Sequence, residues 1–346
     1  MLVGNAKKIV FVLPFVEMVS NYVRALCLQG YETEKWQFVY LKGTYPVLFR
    51  IFILRTVYRY SYYIYELWKL KSQSGLVVAY FIKPSSPFLL LLVRRLLGIR
   101  VMVDINDPYH LPQLLGFNVT SNLFENADRL IFESEEYANY WQLNYSSITE
   151  IVPDTPQHEC VYLNSASRDK SVLWVGSPHT ANYLRDYLKY FELFAAFGYQ
   201  IRFLGISSET LSILHDAYFM FTFVENYNGD MLAEELSKAL VSFIPMPEDN
   251  LFELRGNLKA KVSMGYGCLT IASGLPMHKR LITNKVNGYL FDGIDDLQEI
   301  LVEIENRSIA SSIALEGNKY VSNKYTRNRH ASALIEIAEK ISLGYV

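Results

Sequence analysis

The segment of this chain with the clearest chemical character runs from Leu251 to Ser273, where basic residues precede a glycine turn and a buried strand. Arg255, Lys259 and Lys261 are concentrated where the pattern predicts the beginning of a short helix. The first N–H groups and the positive dipole end of a helix already favour an anion. Added cations make a diphosphate the natural ligand, while a surface helix with solvated Lys and Arg remains the alternative.

A second candidate loop, GSPHT at 176–180, follows the first predicted strand of the latter half of the chain. Gly176 would let the backbone approach a phosphate closely. Ser177 and Thr180 offer hydroxyl donors and either could cap the following helix, while His179 could touch a phosphate or serve as a cap. The loop lacks the spacing of a P-loop or a dinucleotide fingerprint, so taken alone it favours a capped strand-to-helix turn.

Length and composition narrow the class of protein. The 346 residues are enough for about two domains, and the chain is 51% hydrophobic and 20% charged. The net charge of −2 excludes a globally basic nucleic-acid binder. Cys27, Cys160 and Cys268 are scattered and odd in number, which indicates neither a disulfide framework nor a zinc site and suits a reducing, cytoplasmic location.

No segment has the pattern of a leader or a membrane span. The N-terminal residues MLVGNAKKIVFVLPF carry two lysines and a short apolar run without a small-residue cleavage site, so they predict a first β-strand. The longest clean apolar run, Pro87–Val93, stops at Arg94 and Arg95 and is too short to cross a bilayer.

Aromatic residues are unusually frequent, with 26 Tyr and 20 Phe, and many fall between Tyr40 and Trp68. The same segment carries Arg50, Arg55 and Arg59. An aromatic and cationic helix here predicts peripheral membrane contact through residues 44–71, at the inner membrane face. The segment taken alone favours the alternative, a core-packed helix whose Arg stems extend past its edge, and membrane contact gains weight only with a lipid-linked substrate.

Strand and helix patterns alternate along the chain, which predicts parallel sheets covered by helices on both faces. The predicted strands are Lys8–Leu13, Trp36–Leu41, Leu76–Phe81, Arg100–Asp104, Arg129–Glu133, Ser171–Val175, Gln200–Leu204, Thr222–Glu225, Val241–Ile244 and Cys268–Ala272. The predicted helices are Val19–Gln29, Val47–Lys71, Pro87–Leu97, Asn122–Ala127, Ser134–Leu143, Asn182–Phe197, Met231–Ala239, Asp295–Asn306 and His330–Ile341.

The pattern restarts midway, so the sequence predicts an α/β protein of two Rossmann-like domains with a ligand cleft between them. Residues 1–155 form the predicted N-terminal domain and 156–169 a linker rich in Pro, Asn and Ser. Residues 170–325 form the predicted C-terminal domain. Residues 326–346 are a C-terminal helix expected to pack back on the first domain.

Over most of its length, the chain resembles a GT-B glycosyltransferase of the broad "group 1" type. VLWVGSPHTANYL is similar to the opening strand and loop of the family's donor domain, and IPMPEDNLFELRGNLKAKVSMGYGCLTIAS to its donor-binding segment. NKVNGYLFDGIDDL resembles the family's turn before an acidic helix start. LGIRVMVDINDP followed by NADRLIFESEEYANYW resembles its acceptor domain.

The resemblance implies transfer of a sugar from a nucleotide-activated donor to a hydroxyl of a glycan or lipid-linked glycan, in bacterial-type polysaccharide or glycolipid assembly. Arg255 and Lys259 match the basic pair that neutralises the donor diphosphate, so no metal and no separate cofactor is expected. Gly176 and its neighbours would contact the diphosphate. In the first half, Asp107 or His110 would bind sugar hydroxyls or act as a base, whereas a side-chain-stabilised turn explains Asp104 and Asp107 as well.

Two departures from the family pattern leave other functions open. The family's ribose-binding carboxylate or amide position is Val262, with Ser263 beside it, and a second carboxylate position falls near Arg280. Ser263, His278 or Lys279 could take over, with Glu253 as a weaker candidate, or the donor site is impaired. The alternatives are a nucleotide-sugar epimerase on the same fold and a non-catalytic scaffold subunit of a glycosyltransferase complex.

Overall fold

The computed structural model describes residues 7–13, 28, 31–42, 52–74, 76–82, 87–105, 124–140, 148–156, 162, 167–208, 211, 214, 217–248 and 256–343. The chain divides into two compact units. The first combines Met1–Gln157, Leu254–Gly256 and Arg327–Val346, and the second combines His158–Glu253 and Asn257–Thr326. Each unit is built on one six-stranded parallel sheet, so the predicted pair of Rossmann-like domains is confirmed.

The sheet of the first unit has the strand order β2-β1-β3-β4-β5-β6, with every neighbouring pair parallel. Its strands are β1 (Lys7–Leu13), β2 (Trp36–Lys42), β3 (Val77–Ile82), β4 (Arg100–Ile105), β5 (Arg129–Phe132) and β6 (Thr149–Ile151). Strands β3 and β5 are buried along their whole length, as expected for strands covered on both faces.

Helices cover both faces of this first sheet. They are α1 (Phe52–Gln73), α2 (Pro87–Leu97), α3 (Glu135–Tyr140) and, from the end of the chain, α11 (Arg327–Ser342). Tyr63 and Leu67 of α1 and Val93 of α2 pack in the core of one face. Leu334 and Ile337 of α11 pack in the core of the other face, so the last helix belongs to the first unit.

The sheet of the second unit has the order β12-β11-β10-β7-β8-β9, again parallel throughout. Its strands are β7 (Asp169–Val175), β8 (Gln200–Leu204), β9 (Phe221–Val224), β10 (Ala239–Ile244), β11 (Leu269–Ser273) and β12 (Tyr289–Phe291). Along β7, Val172 and Trp174 face one core and Leu173 the opposite one, because successive side chains of a strand alternate between faces.

The helices of the second unit follow the strands in the usual alternation. They are α4 (Pro178–Ala181), α5 (Leu188–Ala196), α6 (Gly229–Lys238), α7 (Leu258–Gly265), α8 (Pro276–Lys279), α9 (Ile294–Ile304) and α10 (Arg307–Lys324), with a 3₁₀ helix over Asn182–Tyr187. Phe191 and Phe194 of α5 and Leu297 and Leu301 of α9 pack on one face of the sheet. Ala260 and Met264 of α7 pack against Val321 of α10 in a separate cluster.

Two predicted elements have the observed bounds, most of the other described ones differ by one to three residues at an end, and one predicted helix is divided. Pro87–Leu97 and Gln200–Leu204 are found as predicted. The predicted helix Asn182–Phe197 begins four residues earlier and is divided into α4, the 3₁₀ helix and α5. The early start has a physical cause, since Ser177 caps the helix and Pro178 occupies its first position.

Four elements were not predicted from the sequence: β6, β12, α8 and α10. Strands β6 and β12 have only three residues each, which is too short for a period-two pattern. Helix α10 contains Gly317 and Asn318, which are poor helix formers. Both have tertiary roles, because a Cβ on Gly317 would lie 2.6 Å from the Asn287 carbonyl oxygen and the Asn318 amide donates to the Gly265 carbonyl.

Other predictions fall partly or wholly outside the described residues. The predicted helix Val19–Gln29 is one of these, as are the beginnings of Val47–Lys71 and Asn122–Ala127 and the end of Ser134–Leu143. Among the helices that are described, none combines the length and apolarity needed to cross a bilayer.

Candidate functional site

The strand order of the second unit places one crevice at the carboxyl ends of β7 and β10. These strands are neighbours at the centre of the sheet, and the chain leaves them toward opposite edges. Parallel sheets of this kind bind ligands beyond the carboxyl ends of the strands at such a reversal. The loop after β7 begins at Gly176, and the loop after β10 leads into α7, so the reversal joins both segments that the sequence singled out.

Gly176 is held in a position that no other residue can occupy. A Cβ there would lie 2.0 Å from the Trp174 indole, and a Cβ on Gly205, where φ is +87°, would lie 2.1 Å from the Gly176 carbonyl oxygen. The Gly176 N–H donates to the Leu204 carbonyl (2.9 Å), and its own carbonyl accepts from the Tyr227 hydroxyl (3.1 Å). The missing side chain of Gly176 therefore lets Trp174 and Thr180 pack against the loop, while its backbone groups are engaged within the unit.

Ser177 and Thr180 cap helix α4 reciprocally, which is the capping role expected for them. The Ser177 N–H donates to the Thr180 hydroxyl (2.8 Å), and the Thr180 N–H donates to the Ser177 hydroxyl (3.4 Å). The Thr180 hydroxyl in turn donates to the Ser177 carbonyl (3.1 Å). His179 lies in α4, and its side chain is outside the described residues. Phosphate contact by the loop stays a prediction.

Helix α7 begins beside the same crevice with its first turn uncapped by a side chain. Its N-cap residue, Asn257, makes no capping hydrogen bond, although the first N–H groups of a helix have no intrahelical acceptor. The Asn257 amide group instead donates to the Met277 carbonyl. Its Oδ1 atom is buried and has no hydrogen-bond partner among the described residues. The start of α7 thus combines backbone donors with an acceptor oxygen.

Lys259 connects the start of α7 to the end of β7. Its ammonium lies 5.5 Å from the centre of the Trp174 ring, the same ring that crowds Gly176. The side chain is half-buried, which strengthens its electrostatic effect on a nearby anion. Structure therefore brings together Gly176 and Lys259, two of the residues predicted from the sequence to contact a diphosphate.

His278 of α8 is a buried neutral imidazole at the other side of Lys259. Burial lowers the pKa of His278 to about 4, with further lowering by the positive charges of Lys259 and Arg280 against a raising hydrogen bond to Ser273. The Nδ1 atom lies 2.7 Å from the Ser273 carbonyl oxygen. Because a carbonyl only accepts, Nδ1 carries the proton and Nε2 keeps its lone pair. At neutral pH this side chain can accept a hydrogen bond from a hydroxyl group but adds no charge.

Ser263 and Val262 face inward rather than toward an open surface. Ser263 is 3% exposed, and its hydroxyl lies 2.8 Å from the Ser242 hydroxyl. Val262 packs partly buried in the cluster that also holds Tyr227 and Val175. The position where the family has a ribose-binding carboxylate or amide is therefore an apolar contact here, and ribose binding by Ser263 stays a prediction.

The predicted residues Asp107, His110 and Arg255 lie outside the described residues. Asp104, for which the sequence also allowed a side-chain-stabilised turn, lies inside β4. It is fully buried and accepts a hydrogen bond from the Tyr80 hydroxyl (2.7 Å). Among the described residues, no group of three or more His, Cys, Asp or Glu side chains has the arrangement of a metal site.

Sequence reasoning missed two residues that shape the crevice. Asn257 follows the basic loop directly, and an Asn before a helix is a recognisable capping signal, but its link to Met277 depends on the fold. Tyr227 reaches Gly176 across 51 residues of sequence, and no local pattern predicts that contact.

Comparison with known proteins identifies the fold. No family model matches the chain, and no curated protein sequence matches it. Among solved structures, HepE of Anabaena in complex with UDP and glucose has a TM-score of 0.66 at 12% identity, over 97% of this chain and 99% of that one. Sucrose-phosphate synthase of Thermosynechococcus elongatus has a TM-score of 0.66 at 13% identity, over 98% and 100% of the two chains.

A third structure, an alpha-glucosyltransferase in complex with UDP-glucose and DNA containing an abasic site, has a TM-score of 0.69 at 10% identity, over 96% of this chain and 99% of that one. At such identities a likeness over nearly the whole of both chains shows the fold and nothing finer. Each unit of this chain thus has the Rossmann-like architecture of the GT-B fold.

Proposed function

We propose that this protein is a metal-independent glycosyltransferase that moves a sugar from a nucleotide-activated donor to an acceptor hydroxyl. The observation that carries the proposal is the start of α7 at the strand reversal. There the N-cap residue makes no side-chain capping bond, and Lys259 lies next to Trp174, which packs against Gly176. Fixed donors and a cation of this kind stabilise a departing diphosphate without rearrangement.

The compared structures support a nucleotide sugar as the donor class. HepE was solved with UDP and with UDP-glucose, and the alpha-glucosyltransferase with UDP-glucose. None of the compared structures named above carries the name of an epimerase or of a scaffold subunit, so neither alternative is favoured. The second unit would bind the donor, and the first unit the acceptor.

In the proposed reaction, the acceptor oxygen forms a bond to the anomeric carbon while the bond from that carbon to the diphosphate oxygen breaks. Lys259 and Arg255 neutralise the charge that develops on the leaving nucleoside diphosphate. The hydroxyl proton passes to a base of the first unit, for which Asp107 and His110 are the candidates. Because the cations come from the chain itself, the proposed mechanism requires no metal ion.

The loop at 176–180 would shape the wall against which the diphosphate lies. The missing side chain of Gly176 lets the loop pack closely against the Trp174 indole and the Thr180 hydroxyl, which fill the space a Cβ would need. The hydroxyls of Ser177 and Thr180 are engaged in the cap, so we assign them the task of holding the loop. We also assign to His179 a contact with a phosphate of the donor.

His278 is the residue that we assign to a hydroxyl group of the donor. With its proton on Nδ1, the neutral ring presents Nε2 as an acceptor. Val262 and Arg280 occupy the positions where the family has polar or acidic groups, so another acceptor is needed. The Ser263 hydroxyl is engaged with the Ser242 hydroxyl. We therefore assign to the Nε2 atom of His278 the hydrogen bond from a ribose or sugar hydroxyl.

We place the acceptor among glycans or lipid-linked glycans, in bacterial-type polysaccharide or glycolipid assembly on the cytoplasmic side of the membrane. The acceptor class depends on the family resemblance. The cytoplasmic side depends on the cysteines, of which Cys268 is a buried free thiol. A screen of acceptors with the donor identified below tests it.

The decisive experiment is a panel of UDP-, GDP- and ADP-sugars incubated with the purified protein, with released nucleotide and transferred sugar measured. We expect one donor class to be consumed, with the rate unchanged by a metal chelator. Arg255→Ala and Lys259→Ala should each lower the rate by about 100-fold or more. Lys319→Ala, an exposed lysine of α10, serves as the matched control. Full activity in either of the first two variants, or an isomerised sugar formed without acceptor, would refute the assignment.

A further inference from the structure

Helix α1 of the first unit exposes an apolar stripe that its core packing does not explain. Tyr63 and Leu67 are buried, as the core-packed alternative requires. Val57, Tyr65 and Trp68 are nevertheless 57%, 57% and 55% exposed. Their spacing places them on one side of the helix, and the rings of Tyr65 and Trp68 contact each other at 6.2 Å.

Helix α2, which packs against α1, also exposes apolar side chains. Its inner face is buried through Leu90 and Val93, while Phe88 is 56% exposed and Leu96 is 68% exposed. The two helices contact each other, and the Lys71 ammonium of α1 donates to the Leu97 carbonyl at the end of α2. We call the exposed faces of both helices the α1–α2 surface, defined by Val57, Tyr65, Trp68, Lys69, Phe88, Arg95 and Leu96.

The charge on these two helices has one sign. They contain six basic residues and a single acidic one, Glu66, in a chain whose net charge is −2. Some of the cations have partners, as Arg94 does in Asp128 (3.3 Å). Lys69 and Arg95 are exposed beside the apolar stripes. The rest of the protein has a net negative charge, so these two helices carry an excess of positive charge relative to the chain as a whole.

We propose that the α1–α2 surface docks on an anionic lipid bilayer. Trp and Tyr favour the headgroup region, because each has an apolar ring and a polar atom. Lys and Arg beside them are attracted to acidic lipids, each by about 1 kcal/mol. An exposed apolar stripe flanked by cations describes a helix pair that lies on a membrane without crossing it. The proposal goes beyond the sequence-based expectation by including α2, and it concerns a different unit from the donor site.

Vesicle co-sedimentation tests this proposal with the full chain. We expect the protein to bind vesicles of phosphatidylcholine mixed with phosphatidylglycerol and to bind pure phosphatidylcholine vesicles more weakly. Added salt should weaken the binding, because it screens charges at the surface. Failure of the unaltered protein to bind the mixed vesicles would overturn the proposal, whatever its transferase activity.

Two double variants localise the contact. Tyr65→Ser with Trp68→Ser removes the aromatic pair, and Lys69→Glu with Arg95→Glu reverses the exposed charges. Each should weaken binding to the mixed vesicles by about tenfold or more, since 1.4 kcal/mol corresponds to tenfold. Circular dichroism and thermal unfolding verify that the variants are folded.

Matched controls come from the second unit. Tyr218→Ser with Met220→Ser removes two side chains that are 91% and 90% exposed. Lys238→Glu with Lys319→Glu makes the same change in net charge at exposed lysines. Both controls should bind as the unaltered protein does. Equal loss of binding in test and control variants would contradict the proposal. A second contradicting result would be a dimer, seen by sedimentation analysis, that Tyr65→Ser with Trp68→Ser converts to a monomer, because a second copy of the chain would then cover the surface.

Discussion

The ammonium of Lys259 lies 5.5 Å from the centre of the Trp174 ring, so the first turn of α7 and the carboxyl end of β7 share one side-chain contact. Trp174 also sets the closest approach allowed at Gly176. Two segments separated by some eighty residues of sequence, each with an ambiguous local pattern, are therefore parts of a single wall. Their adjacency is what favours the diphosphate over a solvated helix.

Replacement of Lys259 should affect the departure of the nucleotide. We expect Lys259→Ala to lower kcat/KM by about 100-fold or more, since loss of one preorganised donor to a developing anion has that size. Lys259→Arg keeps the charge and should retain part of the activity. Initial rates with the identified donor measure the effect, and isothermal titration with nucleoside diphosphate shows whether ground-state binding falls too. Unchanged rates in Lys259→Ala would contradict the assigned role.

His278 makes stability depend on pH in a defined direction. The pKa of His278 is lowered to about 4 in the folded protein, mainly by burial, whereas in the unfolded chain it is about 6.5. The unfolded state therefore binds this proton more readily between pH 6.5 and 4. The free energy of unfolding should fall as the pH drops through that window, by roughly 3 kcal/mol from this group, and be unaffected by it above pH 7.

Urea unfolding of the natural protein and of His278→Asn, at several pH values, isolates this contribution. The Asn amide can still donate to the Ser273 carbonyl but does not titrate. We expect the difference in stability between the two proteins to shift in favour of the variant as the pH falls from 6.5 to 4. A difference that stays constant with pH would show that the imidazole is accessible to water.

Arg168 should be among the strongest single contributors to stability in the second unit. Its buried guanidinium donates to the carbonyls of Leu236 in the last turn of α6, Ala239 at the start of β10 and Tyr266 just after α7. Arg168→Met would leave these carbonyls without their donor and should lower the free energy of unfolding by about 3 kcal/mol or more. Arg185→Met, at an exposed position, should change it by less than about 0.5 kcal/mol. Equal effects in urea titrations would refute this prediction.

Gly176 should tolerate no side chain, while another glycine of the same unit should. In Gly176→Ala the new Cβ would lie 2.0 Å from the Trp174 ring, so the loop or the indole must move. Donor affinity should fall by about tenfold or more, because each 1.4 kcal/mol of lost binding is a factor of ten. At Gly293 nothing lies within 4 Å of an added Cβ, so Gly293→Ala is the matched control. Donor titrations of both variants distinguish a specific collision from a general glycine effect.

Much of the fold could be predicted from the sequence because buried parallel strands are continuous apolar runs. The runs at 77–82 and 239–244 show this, since each is buried throughout. The cap by Ser177 was equally visible, as capping depends on neighbours three residues apart. Helix α10 was not, because Gly317 and Asn318 reflect its packing partners and not its own helical tendency.

The candidate site was predictable only in part, for a related reason. The cation at Lys259 and the glycine at Gly176 are chemical types that the sequence displays. The neutral state of His278 results from burial, and the hydrogen bond from Tyr227 to Gly176 joins distant positions. Properties that depend on which strands become neighbours cannot be read from a local pattern.

The membership of α11 in the first unit has a consequence for biosynthesis. Leu334 and Ile337 complete one face of the first sheet, and Glu339 accepts a hydrogen bond from the Trp36 indole (3.1 Å). A ribosome must therefore translate the whole second unit before the first can close its core. The second unit can therefore fold while the first still lacks its final helix. The first unit is then completed last, although its synthesis begins first.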